Sequence, residues 1–230
     1  MDDLLSGAES VDAAFELQQQ IYQTLASAHF PLRKYMSNSS DFLARIDSSL
    51  VEETRDFSFG FKNAISLLGL VWQPKTDVLA VKIQLKNDRS FLQSVTKRQL
   101  LSEIARIYDP IGAILPVTIR AKLMLQDVWK ENRGWDGAIS ESIAKSFAEY
   151  YYNDLDNFVH LSIRRRYSLL DNPIEYQLVG FCDASERAYA AVVYLRTFDK
   201  KGNVDTYIVA AKTKVAPQNE FKLTIPKLEL

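Results

Sequence analysis

The chain has 230 residues, 28 Lys and Arg against 29 Asp and Glu, a formal charge of -1 and 47% hydrophobic residues with only 8 Gly and 7 Pro, which excludes a disordered, collagenous or coiled-coil protein. A single cysteine, Cys182, excludes an intrachain disulfide and a cysteine zinc cluster, and with His29 and His160 as the only imidazoles any metal must be held by carboxylates. No apolar run approaches the roughly 18 residues of a membrane span, and the acidic start Met1-Asp2-Asp3 is unlike a signal peptide, so a cytoplasmic or nuclear, non-secreted protein with no membrane partner is expected.

In chain order, Ser10 is positioned to cap a helix whose apolar positions Ala14, Leu17, Ile21, Leu25 and Ala28 recur at helical spacing and which Pro31 ends. A short strand is predicted over 32–36 and a turn over Ser37-Asn38-Ser39-Ser40. Residues 41–63 are acidic and weakly patterned. Then Ile65–Trp72 reads as one strand, Gln73–Asp77 as a turn and Val78–Ile83 as the returning strand of a hairpin.

From Thr96 the period becomes helical, with Leu100, Ile104 and Ile107 on one face, and Tyr108-Asp109-Pro110-Ile111-Gly112 stops it. A second helix turns Val117, Ala121, Met124 and Val128 inward, with Arg120, Lys122 and Lys130 able to face out. A third begins at Ser140 and carries Ile143, Phe147, Tyr151, Leu155 and Phe158. The tract Arg164-Arg165-Arg166 reads as a solvated linker in preference to a nucleic-acid contact. After it, strands over 176–182, 188–197 and 204–214 form an antiparallel meander, and a helix start with Pro226 near its first turn follows.

Charge is uneven along this order. Residues 1–60 carry 4 basic and 10 acidic side chains, while residues 82–133 carry 10 basic and 5 acidic. A basic block of this kind is either a solvated helix surface or a surface that tracks phosphates. Two places offer carboxylates to a metal. Asp2-Asp3 beside Leu4-Leu5 suits a hairpin tip or a solvated end, and Asp183 in Phe181-Cys182-Asp183-Ala184-Ser185 ends an apolar strand beside small residues, or else makes an Asx turn. Trp129, Trp135 and Tyr150-Tyr151-Tyr152 have aromatic faces for bases, although helical spacing favours a core role.

Four segments together carry a resemblance. Met1-Asp2-Asp3-Leu4-Leu5-Ser6-Gly7, then Ser66-Leu67-Leu68-Gly69-Leu70-Val71-Trp72, then Thr96-Lys97-Arg98-Gln99-Leu100-Leu101-Ser102 with Tyr108-Asp109-Pro110-Ile111-Gly112, and finally Phe181–Ser185 with Ala188–Tyr194 and Leu223–Leu230, stand in the order found in the Pol polyprotein of Bel/Pao long-terminal-repeat retrotransposons. The chain is similar to that family over essentially its whole length. The first segment resembles the tyrosine-x-Asp-Asp hairpin of a reverse transcriptase palm, the second the strand leading to its primer grip, the third the helical region before the ribonuclease, and the last the opening of a ribonuclease H domain.

The resemblance implies an α+β fold: the C-terminal part of a palm with a primer-grip-like hairpin over 1–95, a helical thumb or connection over 96–165, and the N-terminal half of an RNase H-like meander over 170–230. It implies that Asp2 holds Mg²⁺ with Asp3 in support, and that Asp183 and Glu229 hold Mg²⁺ in the ribonuclease part. Lys97, Arg98, Arg106, Arg120 and Lys122 become candidates for the phosphates of an RNA–DNA hybrid or duplex. The expected partners are that nucleic acid and the rest of the polyprotein, whose fingers and remaining carboxylates lie outside 1–230. The parent would copy RNA into DNA and cut the RNA of the hybrid, this chain being inactive alone; the alternative is a non-catalytic nucleic-acid-binding remnant of a decayed element. This region of such polyproteins also carries the name of a peptidase, but aspartic peptidase chemistry needs Asp-Thr-Gly or Asp-Ser-Gly to aim two carboxylates at one water. Neither tripeptide occurs, so that activity is rejected.

Overall fold

The computed structural model describes residues 3–57, 61–86, 88, 90–131, 133–158, 161–217, 224, 225 and 227, and the chain divides into two compact units, Met1–Ala80 and Val81–Leu230. In the first, helix α1 (Val11–Ser27) starts where Ser10 accepts the Ala13 N–H at 3.2 Å. Ala14, Leu17, Ile21 and Leu25 are half-buried, and Ala28 is exposed. The helix stops before Pro31, because His29 already turns the chain with φ 63°. The strand expected over 32–36 reduces to one bridge between Tyr35 and Val51. Ser39, expected in a turn, caps the short helix α2 (Ser40–Leu43) by accepting from the Phe42 N–H.

The strand expected over 65–72 is in fact two. Strands β1 (Ile65–Leu67) and β2 (Leu70–Gln73) pair antiparallel, Ile65 opposite Trp72, about Leu68 and Gly69 with φ 48° and 83°. Positive φ at both central residues is the tight turn whose twist matches a hairpin, and glycine takes it without strain. The continuous apolar run conceals it, since Leu68 is not a turn-forming residue. Strand β3 (Val78–Val81) lies beside β2, and the turn between them is tied by the Trp72 indole N–H donating to Asp77 Oδ1 at 3.0 Å.

The second unit begins with helical packing. Helix α3 (Lys97–Ala105) opens with a capping box in which Thr96 accepts from the Gln99 N–H and Gln99 accepts from the Thr96 N–H. Asp109 prepares helix α4 (Leu115–Lys130): its carboxylate accepts from the backbone N–H groups of Gly112, Ala113 and Ile114, each at 2.9 Å. These donors at the helix entry would otherwise lack partners. Helix α5 (Glu141–Glu149) continues as a π-helical segment over Tyr150–Leu155. The wider turn brings the consecutive Tyr150 and Tyr151 inward together beside Phe147. Leu100, Ile114, Ala121 and Val128 complete this interior.

After β4 (Ser162–Arg164), strands β5 (Glu175–Ala184), β6 (Ala188–Phe198) and β7 (Val204–Val215) form the expected meander in the order β5-β6-β7. A bulge interrupts the β6–β7 register between Val193 and Tyr194. The sheet is seated on the helices through β7. The Ala211 N–H donates to the Ile111 carbonyl at 2.7 Å, and the Gln126 amide donates to the Ala216 carbonyl at 2.7 Å. The 96–165 helices and the 170–230 meander therefore lie in the same compact unit. Away from this seam the sheet carries exposed apolar side chains, with Leu178 at 72% and Phe181 at 60%.

Candidate carboxylate site and nucleic-acid interface

Asp183 is the penultimate residue of β5 and is exposed. Strand pairing puts it opposite Ala190 of β6, and Ala190 opposite Thr213 of β7. Directly paired residues share a face of a sheet, so Asp183, Ala190 and Thr213 form one row. The neighbouring rows on that face are Phe181, Val192 and Ala211 on one side and Ala188 with Val215 on the other. On β6 the small Ala190 and Ala188 leave space beside the carboxylate, while Phe181 and Val192 bound it on the other side. Asp183 Oδ1 accepts from the N–H of the next residue, Ala184, at 2.9 Å, whereas an Asx turn would need the N–H of Ser185, which donates instead to the Ala188 carbonyl.

Of the other sequence-derived carboxylates, Asp3 belongs to the first compact unit and Asp183 to the second. Asp3 is exposed in a stretch, 3–8, without regular structure, where Leu4 and Leu5 are exposed as well; the hairpin expected there is not formed by the described residues. Asp2 and Glu229 lie outside the described residues, as does most of the 223–230 segment. No group of three or more His, Cys, Asp or Glu able to hold a metal is present among the described residues.

The basic candidates are placed very differently from one another. Lys97 is only 4% exposed. Its ammonium lies 4.1 Å from the centre of the Trp129 ring and 5.9 Å from that of Trp135, and it donates to the Arg133 carbonyl at 3.4 Å. This is a cation held by two indoles, and burial takes it off any surface offered to a phosphate. The two indoles meet edge to face at 5.3 Å, so they serve the lysine and each other. Arg98 makes a two-point bond to Asp136, 2.7 and 3.1 Å, which holds the Asp136 carboxyl below its ordinary value. Arg106 stands 3.6 Å from Glu103, a buried carboxylate that also meets Lys86 at 2.6 Å. Arg120 pairs with Asp154. Lys122 donates to the Thr213 hydroxyl at 3.4 Å.

The excess positive charge of 82–133 is thus partly a property of where the segment is cut. Asp136 and Asp154, both outside it, return to neutralise Arg98 and Arg120. Arg98, Arg106 and Arg120 remain half-exposed or more, whereas Lys97 does not.

Sequence reasoning missed a second charged arrangement. Arg164, read as linker, donates to Asp205 at 2.8 Å and to the Thr206 carbonyl at 3.0 Å, with its guanidinium over the Tyr207 ring. The following residues are strapped to the sheet: Asp205 accepts from the Leu169 N–H at 2.7 Å, the hydroxyls of Ser168 and Thr197 meet at 2.7 Å in a buried contact, and Tyr167 stands edge-on to Tyr207. Burial works to raise the Asp205 carboxyl, but Arg164 and the N–H groups of Leu169 and Thr206 outweigh it and hold the group below its ordinary value. Nothing in the run of three arginines distinguishes Arg164 from its neighbours, so the sequence held no signal for this clamp.

A family model described as Pao retrotransposon-like RNaseH-like domain matches residues 96–230, more than half of the chain. The matched region takes in helices α3 to α5 together with the meander and Asp183. No curated protein matches the chain.

Proposed function

Because the chain belongs to the family of Pao retrotransposon-like RNaseH-like domains, we propose that it is part of a Pol polyprotein and that Asp183 presents a divalent cation to the backbone of an RNA–DNA hybrid. The observation that carries this reading is the exposed Asp183 near the end of β5, opposite the small, exposed Ala190. Its donor chemistry fits Mg²⁺, which is held through one or two carboxylates plus substrate phosphates and keeps several waters. Bound there, Mg²⁺ would supply an activated water and neutralise charge developing on the phosphodiester. Asp183 is the anchor, with Glu229 as its candidate partner, and Ala190 leaves room for the substrate backbone. Arg98, Arg106, Arg120 and Lys122 are the candidate phosphate contacts.

The same reading extends the parent polyprotein to RNA-directed DNA synthesis, with Asp2 and Asp3 as palm carboxylates and 96–165 as a thumb or connection. Its support is the resemblance of residues 1–7, 66–72 and 96–112. By itself the chain is expected to be inactive in both reactions. A second reading, binding without catalysis, is favoured by the exposed Lys212 and Lys214 and the half-buried Lys122 around β7, which offer charge to phosphates without a second carboxylate.

Hybrid binding by the 230-residue chain, followed by fluorescence anisotropy with and without Mg²⁺, tests the assignment. Mg²⁺ should tighten binding of the wild type and leave Asp183→Asn unaffected. An equal response of the two proteins would remove Asp183 from the site and leave the binding-only reading.

A further inference from the structure

Lys122 was singled out as one of several cations along a helix, yet the structure gives it a specific neighbour. Its ammonium reaches Thr213 Oγ1, and Thr213 is the third member of the row that begins with Asp183 and passes through Ala190. A helix α4 side chain and a β7 side chain thus meet on the face of the sheet that carries the candidate carboxylate. Two strand spacings, roughly 10 Å, separate Asp183 from Thr213. Between them lies the exposed Ala190, whose methyl group blocks nothing laid across it.

The donor arithmetic suits an anion. An ammonium has three N–H donors, and the bond to Thr213 uses one. A hydroxyl that accepts from the ammonium keeps its own hydrogen to donate. Two N–H donors of Lys122 and the O–H of Thr213 can therefore converge on one oxyanion, while Lys122 has no carboxylate partner among the described salt bridges, unlike Arg98, Arg106 and Arg120.

We propose that Lys122 and Thr213 form a seat for one backbone phosphate of the hybrid strand that crosses Ala190 to Asp183. This rests on the reading of Asp183 given above and adds to it a fixed point that positions the strand at a defined distance from the carboxylate. Both are positioning residues: neither touches the bond to be cut.

The test is anisotropy of a fluorescein-labelled RNA–DNA hybrid bound to the full chain across a salt series, with Lys122→Ala, Lys122→Arg, Thr213→Val and, as a control, Lys145→Ala on the exposed surface of α5. Loss of one phosphate contact should lower the slope of log affinity against log salt by roughly one. The expected result is that drop in Lys122→Ala, its restoration in Lys122→Arg, an unchanged slope with roughly 3- to 10-fold weaker binding in Thr213→Val, and wild-type behaviour of Lys145→Ala. If Lys122→Ala folds poorly, Lys122→Arg and Thr213→Val still decide: wild-type binding in Thr213→Val overturns the seat. Identical slopes for wild type and Lys122→Ala overturn it too, while leaving the Asp183 reading in place. Absence of salt-dependent hybrid binding by the wild type overturns both.

Discussion

A Cβ placed on Gly112 would stand 2.3 Å from the carbonyl oxygen of Ala211, so the loop before α4 and strand β7 touch backbone to backbone. Gly112 has φ 86°, a conformation that side chains disfavour, and its neighbour Ile111 accepts the Ala211 N–H. Close approach and left-handed backbone together require glycine here.

Gly112→Ala is expected to cost about 2 kcal/mol or more, from backbone strain together with a clash that only movement of β7 relieves. Urea unfolding followed by far-UV circular dichroism and by tryptophan fluorescence measures it. In the wild type the helical and sheet signals of the second unit should fall together. Separate transitions for the two would show that the seam does not join them.

Lys97 should behave as a structural residue. Lys97→Ala removes the ammonium from the face of Trp129 and leaves the Arg133 carbonyl without that donor, a loss of about 1–2 kcal/mol, with a shift in tryptophan emission as Trp129 and Trp135 repack. The salt slope of hybrid binding should stay as in the wild type. A stable Lys97→Ala protein with a reduced slope would return Lys97 to the surface that meets phosphates.

The clamp between Arg164 and Asp205 makes a pH-dependent contribution of known sign. The folded state favours the Asp205 carboxylate more than the unfolded chain does, so its contribution is fully present above the ordinary value of 3.8 and is lost as pH falls through the lower folded value. Asp205→Asn should cost about 1 kcal/mol at pH 7. It should also remove part of the stability that the wild type loses on acidification below pH 3.8. Equal acid sensitivity of the two proteins would show that Asp205 does not carry the effect.

The elements legible in the sequence are those whose signal is local. Ser10 and Thr96 announce helices because capping is decided within three residues, and β5 to β7 are bounded by turn residues such as Asp199 and Asn203. The turn at Leu68–Gly69 escaped because apolar residues fill both its arms, and the π-helical segment escaped because ordinary helical spacing puts Tyr151, and not its neighbour Tyr150, in line with Phe147 and Leu155. Asp183 was legible as a strand-end carboxylate. Its row with Ala190, Thr213 and Lys122 was not, since register across three strands and a helix joins residues up to 91 positions apart. The same distance effect made the basic block look freer than it is, because the acids that neutralise Arg98 and Arg120 come from beyond its end.

The seam between α4 and β7 also sets an order of events during folding. The two hairpins of the meander close over a few residues each and belong to a class that forms in roughly 1–10 μs. The bond from Gln126 to Ala216 spans 90 residues, and the entropy of closing so long a loop is recovered only once the hairpins present their outer strand. Docking of the helix is then a late step, so substitutions at Gly112 or Gln126 should accelerate unfolding and leave the rate of folding nearly unchanged.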